Sequence, residues 1–180
     1  LLTGVVVAAG WGAVITFLLA VSPDQALRGM VFWLMGDLGQ PELPLWEPVI
    51  LLVGTLLAYL LAREINVLAR GGSQAAAFGV SVERLRLLLF LLASLLTATA
   101  VTLAGSVGFV GLVVPHMIRL MGGSDHRLLV PASVLLGGGL LTLSDILART
   151  LLAPQQLPVG VVTALLGVPL FLYLLQRSGR

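Results

Sequence analysis

The sequence contains no cysteine and no lysine, and it has few charged residues of any kind. Without cysteine, disulfides and thiolate metal sites are excluded, and the redox compartment cannot be read. Only 10% of the 180 residues are charged, whereas soluble domains average about 25%. Hydrophobic residues make up 58% of the chain, and the mean hydropathy is +1.08. The shortage of charge therefore excludes an ordinary soluble domain and indicates an integral membrane protein.

Catalytic and nucleotide-binding motifs are also missing. No Gly-x-Ser-x-Gly elbow, His-Glu-x-x-His pair or P-loop occurs, so hydrolysis and nucleotide binding have no candidate residues. His116 and His126 are ten residues apart, a wider spacing than zinc ligands normally have. With Asp125 they would form a metal site only if the fold happened to bring all three together. We therefore expect no metal, no cofactor and no enzymatic activity.

Six apolar segments dominate the chain. A helix needs about 20 apolar residues to cross a bilayer core. Backbone groups in lipid must be hydrogen-bonded within their own segment, so each segment is predicted to be a helix. The fourth is short and contains Pro115, which indicates a helix packed inside protein or lining a cavity. The predicted spans are Leu1–Val21, Leu45–Ala62, Leu85–Ala104, Gly108–Met121, Leu128–Leu152 and Val159–Gln176.

The arginines fall mainly on one side of these spans. If all six segments cross, one side carries eight of the ten arginines, and the positive-inside rule places that side in the cytoplasm. The other side receives the connection Ser22–Pro44, with Asp24, Asp37 and Glu42 against only Arg28. The sequence thus predicts an all-α membrane protein with six transmembrane helices and a cytoplasmic C-terminus.

A short apolar stretch, Ala26–Gly36, lies within the long outer connection. It is too short to span and is predicted to be an interfacial or re-entrant helix, with Phe32 and Trp33 at headgroup level. Two interpretations stay open for this stretch, which also contains Met35: an aromatic anchor at the membrane surface, or part of the lining of a pathway.

Asp145 and Arg149 stand four residues apart near the outer end of the fifth span. Charges inside a membrane segment are costly and are usually paired or functional. Either the two residues form an ion pair of small net worth, or Arg149 reaches the outer surface and receives an acidic partner.

The arginine-flanked connection of residues 63–86 is predicted to lie in the cytoplasm and to carry a short helix. Ser73 to Phe78 is rich in alanine, and Gly79 is placed to end the helix. This helix is a candidate docking element for a soluble partner, and an ordinary helical connector is the alternative.

Two consecutive stretches resemble a known family. They are GSVGFVGLVVPHMIRLMGGSDHRLLVPASVLLGGGLLTLSDILART and LPVGVVTALLGVPLFLYLL. Both resemble the FecCD family of ABC-transporter permeases, the membrane subunits of importers for ferric siderophores, haem and cobalamin. The likeness covers essentially all of residues 1–180 as a single permease domain. Family permeases have about ten spans and this chain is similar to the last six, so the resemblance implies that the first four are absent. The start inside an apolar run, without methionine, agrees with that expectation.

The resemblance also implies roles for particular residues. In the family, the loop between spans six and seven forms helices that sit in a cleft of the ATPase subunit. An arginine at the outer end of span nine is a docking point for the periplasmic binding protein, and Arg149 occupies that position. Ala26–Gly36, with Phe32, Trp33 and Met35, would lie beside the translocation pathway. Gly72 stands where the family often has an acidic residue. The ATPase-coupling candidates are Gly71, Ser73, Gln74, Ala75, Phe78 and Gly79.

The function that the resemblance implies is transport across the inner membrane by alternating access. The expected partners are an ABC ATPase on the cytoplasmic side, a periplasmic substrate-binding protein, a second permease copy and the lipid bilayer, with no nucleic acid. An ion-coupled secondary transporter is the alternative. It would need carboxylates near the bilayer midplane, and Asp145 does not fit, because it lies toward one end of its span with an arginine one turn on.

Overall fold

The structure, a computed structural model, describes residues 2–39 and 45–178. Within these ranges the chain forms helices joined by turns and no strand, which confirms the predicted all-α class. Leu1, Glu42 with the adjoining part of the outer connection, and Arg180 lie outside the described residues. The helices are α1 (Leu2–Val21), α2 (Asp24–Leu34), α3 (Trp46–Leu60), α4 (Ala62–Leu68), α5 (Gly72–Ala77), α6 (Val82–Ala104), α7 (Val110–Gly122), α8 (His126–Thr150) and α9 (Val159–Ser178).

The helices differ in whether they can cross a membrane. Among the described residues α1, α6 and α8 are long and apolar enough, and α3 with α4 adds a fourth crossing if this bent pair is one span. The remaining apolar helices are shorter, namely α7 and the stretch Val159–Leu174 of α9. With 13 residues, α7 is about 20 Å long at 1.5 Å per residue, less than the roughly 30 Å of a hydrocarbon core. The chain is thus a multi-pass membrane protein whose described helices include three or four clear spans.

The second predicted span ends in a bend. The sequence predicts a helix over Leu45–Ala62; α3 covers Trp46–Leu60, and after a bend of 54° a further helix, α4, begins at Ala62. Neither proline nor glycine stands at the break. Arg63 and Asn66 follow it directly, so the chain changes direction where its side chains become polar. Such residues belong to the membrane interface rather than the hydrocarbon.

A small apolar core connects α7 and α8. Val114 and Ile118 of α7 pack with Leu129 of α8, and all three are buried. Most other large apolar side chains are exposed, and α1 has no buried residue among those described. An apolar surface of this extent is expected for helices that contact lipid or further helices rather than water.

Three chain segments meet at backbone level where α2 ends, α6 ends and α9 begins. The N–H of Val159 donates to the carbonyl of Gly36 at 2.9 Å, and the N–H of Asp37 donates to the carbonyl of Ala104, also at 2.9 Å. These two bonds hold the chain after α2 between the other two helices.

Glycines make this close approach feasible. A Cβ on Gly105 would overlap the carbonyl oxygen of Trp33, and a Cβ on Gly160 would overlap that of Met35. Gly36 and Gly105 also have φ of +86° and +67°, a region that favours glycine. We call the contact between Gly36, Gly105 and Gly160 the glycine junction.

Candidate functional site

The short helix predicted between the second and third spans exists, within one residue at each end. α5 runs from Gly72 to Ala77, against the predicted Ser73–Phe78. Gly79 follows with φ +81° and its N–H donates to the carbonyl of Ala76, while Val80 N–H donates to the carbonyl of Ala75, both at 3.0 Å. This pair of bonds is the Schellman arrangement that ends a helix at a left-handed glycine.

The coupling candidates on α5 divide between two faces. Ala75 is fully buried against the rest of the chain, so its side chain is not available to a partner. Ser73 and Gln74 are exposed, and Phe78 is 72% exposed. The sequence grouped Ala75 with these three, because a six-residue helix has too little periodicity to show which side packs inward. Gly71 and Gly79, both with positive φ, bracket the helix.

Four arginines flank α5 along the chain. Their side chains are exposed, and Arg86 lies against Gly72. Among the described residues, Arg149 and Asp145 form the only ion pair within 4.0 Å. The arginines that flank α5 therefore have no carboxylate partner within the described part of the chain. Their charge is therefore available to a soluble partner or to lipid headgroups. They are Arg63, Arg70, Arg84 and Arg86.

A polar contact that the sequence did not reveal connects α4 to the start of α8. The Nδ2 of Asn66 donates to Oδ1 of Asp125 at 2.7 Å. The Oδ1 of Asn66 accepts from the backbone N–H of His126 at 2.9 Å and lies 2.7 Å from its Nδ1. We call this set of three residues the Asn66 joint. No local pattern relates residues 59 or 60 positions apart, so only the fold could show it.

Asp125 has a second role as the N-cap of α8. Its Oδ1 accepts from the backbone N–H of Arg127 at 2.9 Å, as a capping aspartate does. That bond, and then the bond from Asn66, hold the pKa of the Asp125 carboxyl below its ordinary value, because both stabilise the ionised form. Asp125 therefore stays ionised at neutral pH. The cap was detectable in the sequence as an aspartate directly before an apolar helix.

At the other end of α8, Arg149 is paired within its own helix. Its Nε donates to Oδ2 of Asp145 at 2.8 Å, so the ion-pair interpretation is observed. The Arg149 side chain remains 41% exposed, and the other guanidinium N–H groups are not used by this bond. The pair is compatible with an external partner, and a docking role stays a prediction.

α2 contains the predicted pathway residues and begins two residues earlier than predicted, at Asp24. Phe32 and Trp33 are half-buried and Met35, after the helix, is exposed. The indole N–H of Trp33 points to the carbonyl of Thr102 at 3.5 Å, and the Arg28 guanidinium lies 5.8 Å from the Phe32 ring centre. Beside α2 is an open cleft of about 650 Å³, whose polar lining includes Gln25, Arg28, Asp37, Gln155 and Gln156.

The remaining titratable groups form no catalytic or metal-binding cluster in the described ranges. The His116 ring lies edge-on to Phe171 with centres 6.4 Å apart, while His126 belongs to the Asn66 joint. No group of three or more His, Asp or Glu side chains there could hold a metal ion. Glu47, to which no sequence pattern drew attention, is buried in the first turn of α3.

An all-helical membrane domain with a short helix on an arginine-rich face has the organisation of a transporter's permease subunit. The model of the FecCD transport family matches residues 1–177. The chain belongs to the FecCD transport family.

Curated relatives support this assignment along the whole chain. The uncharacterised ABC transporter permease protein YvrB of Bacillus subtilis is 42% identical and aligns with 100% of this chain and 51% of its own length. The hemin transport system permease protein HmuU of Yersinia pestis is 43% identical and aligns with 99% of this chain and 56% of its own length. The cobalamin import system permease protein BtuC of Halobacterium salinarum is 44% identical and aligns with 98% of this chain and 47% of its own length. The chain spans about half the length of the curated relatives it matches.

A solved structure has the same fold. It is described as an inward-facing conformation of a metal-chelate type ABC transporter. The superposition has a TM-score of 0.83 at 32% identity and covers 98% of this chain and 58% of that one.

Proposed function

We propose that this chain forms part of the permease subunit of a binding-protein-dependent ABC importer in the inner membrane. Its cargo would be a chelated metal or corrinoid of the ferric siderophore, haem or cobalamin type. The observation that carries the proposal is the family match over residues 1–177. The relatives named for hemin and for cobalamin support the cargo class. The proposal includes six spans, equivalent to the last six of ten, and a second permease copy.

In this proposal the chain provides a pathway and a mechanical connection, and a separate ATPase provides the energy. A loaded binding protein docks outside at Arg149, ATP binding and hydrolysis move α5, and the permease dimer opens to one side at a time. In this proposal the chelate would pass the cleft beside α2, whose lining combines the aromatic residues Phe32 and Trp33 with polar side chains such as Gln25. The family assignment does not favour ion-coupled secondary transport.

The exposed face of α5, together with Phe78 directly after its last residue, is the proposed ATPase contact. We expect Phe78→Glu in the assembled transporter to reduce co-purification of the ATPase at least tenfold, because a charge replaces an apolar side chain in a desolvated cleft. Gln176→Glu is the matched control. It adds the same charge at an exposed position on the same predicted side of the membrane and should leave co-purification unchanged. Wild-type recovery of the ATPase with Phe78→Glu would remove this assignment.

Arg149 is the proposed docking point for acidic side chains of the binding protein. We expect Arg149→Glu to weaken binding of that protein and to reduce the salt dependence of the affinity, since a favourable charge contact is lost. Asp145→Asn is the control, because it removes the internal partner of Arg149 and keeps the cation. Affinities measured across salt concentrations test both. If the Arg149→Glu variant binds the binding protein as tightly as the wild type at every salt concentration, the docking role is wrong and Arg149 serves only the internal ion pair.

Cargo identity is tested by uptake. The assembled transporter in vesicles, with its ATPase and binding protein, should accumulate at least one of haem, a corrinoid or a ferric siderophore in an ATP-dependent way. Accumulation that follows an imposed proton or sodium gradient without ATP would instead favour the ion-coupled alternative.

A further inference from the structure

We propose that Asn66 is a positioning residue that couples movement of α5 to α8. Through the Asn66 joint, a displacement of the cytoplasmic helix would shift α8 and, with it, the Asp145–Arg149 pair at the far end. This inference rests on the proposed function, because it takes α5 as the ATPase contact.

The first part of the connection is the short turn between α4 and α5. The N–H of Arg70 donates to the carbonyl of Val67 at 3.2 Å, and the N–H of Gly71 donates to that of Leu68 at 3.0 Å. The carbonyl of Gly71 then accepts from the N–H of Ala75, also at 3.0 Å. A backbone bonded at each step has little freedom to absorb movement, so α4 and α5 are expected to move together.

The second part is the amide of Asn66 itself. Its Nδ2 donates to Asp125, the N-cap of α8, and its Oδ1 accepts from the backbone N–H of His126, the first residue of α8. Because both ends of the amide are engaged, its orientation is fixed. An alanine at this position would remove every polar contact at once. It would also leave the backbone N–H of His126 without this acceptor, which is costly where water cannot replace it.

The third part is α8, which begins immediately after Asp125. With 25 residues the helix is about 37 Å long at 1.5 Å per residue, long enough to cross the bilayer. α8 is continuous from His126 to Thr150, with Pro131 near its start. We expect it to move as a body, so that a tilt or shift at its first turn is transmitted to its last. Arg149, in the last turn, is the proposed contact of the binding protein. The Asn66 joint is therefore placed to connect the ATPase side with the external side.

The experiment must separate coupling from simple stability. It uses the assembled transporter with its ATPase and binding protein, and it measures ATP hydrolysis with and without loaded binding protein. We expect Asn66→Ala to keep wild-type co-purification of the ATPase and its basal hydrolysis. Stimulation by the loaded binding protein and ATP-driven uptake should fall at least tenfold.

Two variants of Asp125 and one control sharpen the test. Asp125→Ala should reproduce the loss of stimulation, whereas Asp125→Asn should retain it, because asparagine can still accept from Asn66 and cap α8. Thr142→Ala removes a hydrogen bond local to α8, from Thr142 Oγ1 to the carbonyl of Gly138 at 2.9 Å, and should behave as the wild type. If the Asn66→Ala variant does not assemble, the test relies on the Asp125 variants: the proposal then requires that Asp125→Ala loses stimulation and that Asp125→Asn retains it.

Two results would overturn the proposal. One is full stimulation and uptake with Asn66→Ala or, where that variant does not assemble, with Asp125→Ala. The other is a loss of stimulation that merely follows the amount of assembled complex, which would make the joint structural only. The assignment of α5 as the ATPase contact is tested separately, by the co-purification of the ATPase with Phe78→Glu. Its failure can therefore be distinguished from failure of the Asn66 proposal.

Discussion

Gly105 lies at the end of α6, where the chain after α2 comes into backbone contact with it. A Cβ there would overlap the carbonyl of Trp33, and the residue has φ +67°. We expect Gly105→Ala to destabilise the protein by about 2 kcal/mol or more, since φ +67° with ψ −158° is a backbone conformation essentially restricted to glycine, and it costs about 1–3 kcal/mol for other residues. The thermal unfolding of the detergent-solubilised protein measures the effect.

Gly138→Ala is the control for that prediction. Gly138 lies in α8, and a Cβ there would meet no atom of the described chain within 4 Å. Alanine is favoured over glycine in a helix by about 1 kcal/mol, so stability should be unchanged or higher. Equal melting temperatures for Gly105→Ala and the wild type would show that the glycine junction does not require glycine at position 105.

Single residues also mark the limit of what the sequence could show. Phe78 and Arg149 could be named as candidates from the sequence, Phe78 as the end of an alanine-rich helix and Arg149 as a charge in an apolar helix. Asn66 could not, because its partners are 59 and 60 residues away. The inward side of α5 was hidden too, since the burial of Ala75 depends on packing that six residues cannot reveal.

At the scale of helices, α7 and α9 meet at an unusual contact. Phe109, which precedes α7, has φ +66°, uncommon for an aromatic residue. A Cβ on Gly167 of α9 would overlap the Cβ of Phe109 and lie 3.0 Å from its Cγ. We expect Gly167→Ala to push α7 from α9 and to lower stability by about 1–3 kcal/mol, the usual cost of overpacking.

A second variant tests the cause of that effect. Phe109→Gly in the Gly167→Ala background removes the overlapping Cβ, so the cost of the added methyl should largely disappear when it is measured against Phe109→Gly alone. Thermal unfolding of the four proteins gives this coupling. If Gly167→Ala is equally destabilising in both backgrounds, the two residues do not interact as described.

The positions of the helices followed from the apolar segments and from end signals, but the bend between α3 and α4 did not. Gly79 ended α5 as predicted, because a left-handed glycine has a clear signature. The bend of 54° between α3 and α4 has no proline or glycine to announce it. After the bend, α4 packs beside α8 and is hydrogen-bonded to it through the Asn66 joint, and these contacts are tertiary information. The charges of residues 63–86 indicated only where the chain becomes polar.

At the scale of the whole molecule, exposed apolar surface is the dominant property. α1 has no buried residue among those described, and large side chains such as Leu2, Leu135 and Leu165 are at least 70% exposed. In water such a surface would aggregate, whereas in a bilayer it contacts lipid or neighbouring helices. Composition alone predicted this, because 58% hydrophobic residues with 10% charge cannot be enclosed by so short a chain.

The proposed division of labour requires α5 and the end of α8 to face opposite compartments. Two exposed residues report on this: Ser73 on α5 and Gln155 in the turn after α8. The chain has no cysteine of its own, so single-cysteine variants at these positions can be labelled individually in the assembled transporter. A membrane-impermeant maleimide is applied to sealed cells, and again after permeabilisation as a control for reactivity.

The account predicts that Gln155→Cys is labelled in sealed cells and that Ser73→Cys is labelled only after permeabilisation. Labelling of both cysteines from the same side would contradict the topology, and with it the assignment of α5 to the ATPase and of Arg149 to the binding protein.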